Sequence, residues 1–218
     1  MKLINLSCPL TEFLIILNIL IFLYSLFYPQ IVEQYAISAE RVMHGNFSVL
    51  ITHMFLHAGF WHIFWNMVGL LLFGYYLERE FGSAILLLVY LFSGMLAALF
   101  FCFFSYVYYH DPTRLAVGAS GAIFGLMGFL TLLRPFALTI VPFIIPMPIS
   151  LASVLYTAIA ILIFTYGTAT MVAHEAHLAG LFAGAFIAML FEPQRALIGL
   201  AIVIAIALML ILLVIFIL

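Results

Sequence analysis

The chain has 218 residues, 68% of them hydrophobic and 6% charged, with a formal net charge of −2 and a mean hydropathy of +1.36. A water-facing domain carries about 25% charged residues, so the solvent of this chain is lipid. The charge balance offers no basic patch for nucleic acid. The two cysteines, Cys8 and Cys102, have no metal or redox spacing and read as inert core thiols.

A helix crosses a hydrocarbon core about 30 Å thick with about 20 apolar residues. Seven segments are candidate spans: roughly 10–28, 61–77, 84–106, 119–133, 149–166, 176–191 and 197–218. The first is too long for a signal-peptide core, and no small-residue cleavage site follows it, so it reads as a retained transmembrane helix. An Arg- and Ser-rich transit peptide is absent, which points to a prokaryotic plasma membrane. Residues 29–60 are too long and polar for a simple connector, yet they contain the apolar "VLITHMFLHAGFW"; a membrane-dipping or surface-lying element fits them. Residues 135–148 carry four prolines, so no straight helix runs through them. Charges sit at the joints, among them Glu33, Arg41, Glu78, Arg79, Asp111, Arg114, Arg134, Glu175 and Arg195. With a cytoplasmic N-terminus, Lys2, Arg79, Arg134 and Arg195 fall inside, and Arg41 and Arg114 outside. Seven spans then leave the C-terminus outside. The fold class expected is an all-α polytopic membrane protein.

Three polar sites fall at one depth. From Ser120 to the charged stop at Arg134 is about 21 Å of helix, some 10 Å short of a full crossing. Either the bilayer thins there or the fourth helix begins inside the membrane, and in the second case the loop "YYHDPTRLAVG" descends to meet it. Non-helical backbone at that depth needs protein or water around it, which implies a water-filled pocket open to the outside. On the same ruler Asn66 and His62 stand about 18 and 24 Å from Glu78, and His177 about 22 Å from Glu192. Polar residues within a bilayer face each other or a cavity, so a hydroxyl, an imidazole and an imidazole–amide pair are expected together.

Small residues allow the close approach this requires. Gly121, Gly125 and Gly128 share a face of the fourth span, and Gly180 and Gly184 lie on the face of His177. Gly118 gives the preceding loop its backbone freedom. The chemistry expected is a Ser120–His177 dyad, with His177 as the base and Phe124, one turn below Ser120, stacked on the imidazole. Glu175 points away from the dyad and Asp111 sits too high to join it. Ser120 opens a helix, so its backbone N–H faces a developing oxyanion, and His62 and Asn66, at i and i+4, add side-chain donors. His53 and His57 read as structural hydrogen-bonders, and Glu78 as the anchor of a helix end.

These residues resemble the rhomboid intramembrane serine proteases. "GASG", Gly118 to Gly121, is similar to the family's GxSG nucleophile motif, and "AHLAGLFAG", Ala176 to Gly184, to its AHxxGxxxG motif with the catalytic histidine. "HMFLHAGFWHIFWN" places His53, His57, His62 and Asn66 at the HxxxHxxxxHxxxN spacing, and "YLEREFG" resembles the ExxxG end of that span. The resemblance covers roughly residues 10–192. It implies a six-helix catalytic core, residues 1–195 with the membrane-associated 29–60 element, and a seventh C-terminal helix at 196–218. The implied substrates are single-pass membrane proteins cut in or near their transmembrane segments; no cofactor or metal is implied. Many members carry a Trp-Arg pair before the first histidine, where this chain has Phe47, Ser48 and Val49.

Two alternatives belong to other classes. A catalytically inactive relative would bind transmembrane helices without cutting them, but such relatives usually lose the serine or histidine. A histidine-ligated membrane metalloenzyme would use "HEAH", His174 to His177, yet a zincin places its histidines at i and i+4 rather than i and i+3.

Overall fold

A computed structural model describes residues 8–140, 145–166 and 173–217. Lys2, counted above for orientation, residues 141–144 of the proline segment, and Leu218 lie outside the described residues. The architecture is the expected all-α membrane fold. Among the described residues five helices are long and apolar enough to cross a bilayer: Pro9–Phe27, Phe60–Phe81, Ser83–Val107, His174–Phe191 and Pro193–Phe216. Two shorter apolar helices accompany them, over Ser120–Leu133 and Ile149–Ile163.

In chain order, α1 is Pro9–Phe27, and the 29–60 element folds into α2 (Gln30–Tyr35), α3 (Ala39–Met43), α4 (Val49–Thr52) and a 3₁₀ turn at His53–Phe55. One long helix follows as α5 (Phe60–Gly69), a π-helical turn (Leu70–Gly74) and α6 (Tyr75–Phe81). The remaining helices are α7 (Ser83–Val107), α8 (Ser120–Leu133), α9 (Ile149–Tyr166), α10 (His174–Phe191) and α11 (Pro193–Ile217). The proline segment holds a two-residue antiparallel pair, β1 (Leu138–Thr139) with β2 (Met147–Pro148).

The helix ends follow from sequence. Pro9 and Pro193 each open a helix at its first position, where a missing N–H costs nothing. Gly82, at φ +87°, makes the tight turn between α6 and α7. The first amides of α1 have no side-chain cap at Cys8; Glu78 reaches across from α6 to serve them. Its carboxylate accepts from Leu10 N (2.9 Å), Thr11 N (2.8 Å), the Thr11 hydroxyl (2.7 Å) and the Ser83 hydroxyl (2.6 Å). The helix end it anchors is thus that of another span, and one buried carboxylate ties three together.

Helix α8 is the centre of the bundle, with twelve of its fourteen residues buried. In lipid no hydrophobic effect draws helices together, so close packing must do it. Gly121, Gly125 and Gly128 all border α10, and the first two admit α7 as well. The missing side chain of Gly121 faces the Ala97 methyl of α7, and that of Gly125 faces Ser93 of α7. Gly128 abuts the Leu181 carbonyl of α10. Gly180 and Gly184 of α10 in turn lie against the carbonyl oxygens of Gly121 and Gly125. The glycines of α8 therefore let two neighbours in, one on either side.

The 29–60 element packs on α7 through Ile37, Ala39 and Val49, which bury against Ala98, Phe101 and Cys102. Cys8 and Cys102 are both free and buried. Where the Trp-Arg pair is missing, Arg41 staples the element internally: its guanidinium donates to Glu33 O (2.5 Å) and Ala36 O (2.8 Å). The Thr52 hydroxyl adds a bond to Tyr35 O (3.0 Å).

Candidate active site

The loop before α8 hangs from the 29–60 element. Ile37 and Ala116 exchange backbone hydrogen bonds, each 3.0 Å, and Gly118 N donates to His53 O at 2.8 Å. His53 is itself held through Nδ1 to Val49 O at 2.8 Å. Gly118 takes φ +124°, and a Cβ there would lie 2.7 Å from Nε2 of His62. Only glycine fits both the dihedral and the imidazole beside it. The next helical residue is Ser120, the first of α8, so its N–H has no carbonyl one turn earlier to bond and lies at the positive end of the helix.

The close approach of α10 to α8 carries His177 to Ser120. Nε2 of His177 lies 2.7 Å from Oγ of Ser120. Phe124, one turn along α8, stacks on the imidazole with ring centroids 4.6 Å apart and planes at 21°. Ser120 and His177 are both half-buried.

The far nitrogen of the imidazole also has a partner, which the sequence reading missed. The hydroxyl of Tyr156, on α9, lies 2.7 Å from Nδ1 of His177 and 3.5 Å from Nδ1 of His174. The Tyr156 ring packs on Phe124 at 4.3 Å. A sequence signal did exist: Ser150, Ser153 and Tyr156 recur every third residue in an otherwise apolar segment. That spacing sets a stripe along one side of a helix.

His62 comes to the same place from α5. Ala58 N donates to its Nδ1 at 3.3 Å, so in the neutral ring the proton sits on Nε2, the atom facing Gly118. Asn66 is buried one turn on. Its amide nitrogen donates to His62 O at 2.8 Å, and among the described residues its second N–H and its buried Oδ1 have no partner. His57 is buried and stands edge-on to His62, with ring centroids 5.1 Å apart.

The carboxylates stay out of the cluster. Glu175 turns away from Ser120 and pairs with Arg114 of the descending loop at 2.8 Å, with 4% of its side chain exposed. The Arg114 guanidinium lies over the rings of Tyr109 (4.4 Å) and Phe101 (5.0 Å). Asp111 is exposed and bonded to Thr113, whose hydroxyl (2.6 Å) holds the carboxyl below its ordinary pKa. Among the described residues no three His, Cys, Asp or Glu side chains are grouped to hold a metal ion.

The Ser120 hydroxyl thus faces an imidazole nitrogen of His177 at the start of α8, with the His62 imidazole against the neighbouring Gly118. A rhomboid domain matches residues 44–194, which contain all of these groups. The chain is 32% identical over 161 residues to RHOMBOID-like protein 12, mitochondrial, of Arabidopsis thaliana, covering 68% of this chain and 47% of that protein. It is 41% identical over 98 residues to RHOMBOID-like protein 6, mitochondrial, of the same plant, covering 43% of this chain and 29% of that one. YdcA of Bacillus subtilis is 42% identical over 97 residues, covering 43% and 46%. The match spans less than half the length of each of these relatives. With a domain match over more than half its length, the chain belongs to the rhomboid family.

Proposed function

We propose that this chain is an intramembrane serine endopeptidase that hydrolyses a peptide bond in or near the transmembrane segment of single-pass membrane proteins. The observation that carries the reading is the 2.7 Å contact between Ser120 Oγ and His177 Nε2, made between two different helices. Ser120 Oγ attacks the scissile carbonyl carbon as its proton passes to Nε2 of His177. The oxyanion so formed meets the Ser120 N–H, the Nε2–H of His62 and the free amide N–H of Asn66. His177 then gives its proton to the leaving nitrogen, the C–N bond breaks, and an acyl-enzyme remains on Ser120. Water attacks the ester, its proton goes to His177 and on to Ser120 Oγ, and the new carboxylate leaves.

The same reading takes residues 1–195 as the catalytic core and 196–218 as an added helix. It places a water-filled pocket above Ser120, opening to the side towards which the 108–119 loop emerges. The relatives named above come from a plant, two of them mitochondrial, and from a bacterium. What family membership carries is therefore the membrane, rather than a compartment or an orientation. The test is cleavage of a single-pass substrate by purified protein. Wild type is expected to cut, and Ser120→Ala and His177→Ala to leave the substrate whole while keeping the wild-type fold. Cutting by either variant at the wild-type rate would end the reading. A wild type that retains a transmembrane helix without cutting it would favour an inactive binding relative.

A further inference from the structure

A base that is to take a proton from Ser120 needs a bare lone pair on Nε2, so its own proton must sit on Nδ1. Nothing between Ser120 and His177 enforces this. A serine hydroxyl donates to a bare Nε2 as readily as it accepts from a protonated one. The deciding group must lie at Nδ1, where a serine protease of the three-residue type has a carboxylate. Here that place holds the Tyr156 hydroxyl at 2.7 Å.

A phenol also donates and accepts, so its direction needs setting in turn. His174, one helical turn before His177, presents its own Nδ1 3.5 Å from the same oxygen. We propose that Tyr156 is the positioning residue for His177: its hydroxyl gives its hydrogen to Nδ1 of His174 and accepts the Nδ1–H of His177, which leaves Nε2 bare towards Ser120. This rests on the protease reading above and deepens it, adding a neutral third member to the dyad.

The tyrosine is held where the role requires it. Ser150 donates to Pro135 O at 2.7 Å, and Ser153 and Thr131 share a hydroxyl–hydroxyl bond of 2.6 Å. With Tyr156 they form one stripe that fixes α9 to α8 and its C-terminal turn. Tyr156 is 8% exposed and stacks on Phe124, the ring that also lies on His177. Among the described residues the groups against His177 are Ser120 and Phe124 from α8, Tyr156 from α9 and His174 from its own helix, with His62 of α5 close enough to be felt electrostatically. Glu175 is taken up by Arg114. Of these, Tyr156 is the group within hydrogen-bond reach of the far nitrogen.

The test compares wild type with Tyr156→Phe, which keeps the ring on Phe124 and removes only the oxygen. The expected result is a kcat at least about 10-fold lower with KM unchanged, since general-base catalysis is worth about 10²–10⁴-fold. The acid limb of the pH profile should move to lower pH, because the lost acceptor bonded the imidazolium more strongly than the neutral ring. His174→Leu should show part of this loss, and His174→Gln, whose amide oxygen still accepts, should restore it. Nitrogen spectra of histidine-labelled wild type should show His177 protonated on Nδ1, with Nε2 protonation gaining in Tyr156→Phe. Unchanged kcat and pH profile in Tyr156→Phe would overturn the inference. So would a wild-type His177 protonated on Nε2, a readout that needs no folded variant. Failure of the protease reading shows separately, as a wild type that neither cuts nor takes a serine-directed probe; the nitrogen spectrum then still decides the role of the hydroxyl.

Discussion

Gly180 of α10 lies directly against the backbone carbonyl of Gly121 in α8, with no room for a methyl group between them. One turn on, Gly184 meets the carbonyl of Gly125 in the same way. These contacts set the spacing of the two helices just below Ser120 and His177. A 2.7 Å contact between those side chains follows from backbones that touch. A valine at Gly184 is therefore expected to push α10 outward. Activity should fall below detection, and stability by more than the usual overpacking cost of about 1–3 kcal/mol, since the obstacle is backbone. Thermal unfolding in detergent and a cleavage assay read the two effects together; a Gly184→Val protein as stable and active as wild type would refute the close packing.

The donors around the Ser120 N–H should matter to rate more than to binding. His62→Ala and Asn66→Ala are each expected to lower kcat by about 10²–10³, the usual cost of one oxyanion donor, with little change in KM. Full kinetic curves against one transmembrane substrate separate the two parameters. Unchanged kcat in both variants would remove these residues from the transition state.

Glu78 should be a stability residue without a part in the chemistry. Its carboxylate serves four donors from α1 and the start of α7 and is 6% exposed. Glu78→Ala leaves buried N–H and O–H groups unpaired, at about 3 kcal/mol or more. The protein that remains folded should keep the wild-type kcat. A lower melting temperature with intact turnover is the expected pair of results.

The Arg114–Glu175 pair binds the descending loop to the start of α10. Arg114→Leu strands a buried carboxylate beside His174 and should cost about 3–5 kcal/mol. The double variant Arg114→Leu, Glu175→Leu removes both charges and should recover much of that loss. Denaturation of the two singles and the double completes the cycle; additive losses would mean that the two side chains do not interact.

The helical spans are legible in the sequence because lipid demands long apolar runs and charges mark their ends. The contact between Ser120 and His177 is legible because both residues lie at measurable distances from charged stops on helices running the same way. Other features need the neighbours in place. That Gly121 and Gly125 admit α7 as well as α10 cannot be read from a stripe on one helix; it depends on a second partner pressing from another side. Helices α2, α3 and α4 have four to six residues each, too few to show a periodicity. The π-helical turn at Leu70–Gly74 leaves no mark in composition. Tyr156 sits within "SVLYTAIAIL", where a tyrosine reads as helix lining until α10 brings His177 to it.

The central claim is that a serine held in the membrane is activated by an imidazole from another helix. The most direct measurement is labelling of the purified full chain by a fluorophosphonate probe, which reacts with an activated serine hydroxyl. The account predicts stoichiometric labelling of wild type at Ser120, its loss in Ser120→Ala, and at least about a 10²-fold slower reaction in His177→Ala. Labelling of Ser120→Ala at the wild-type rate, or none in wild type, would contradict it.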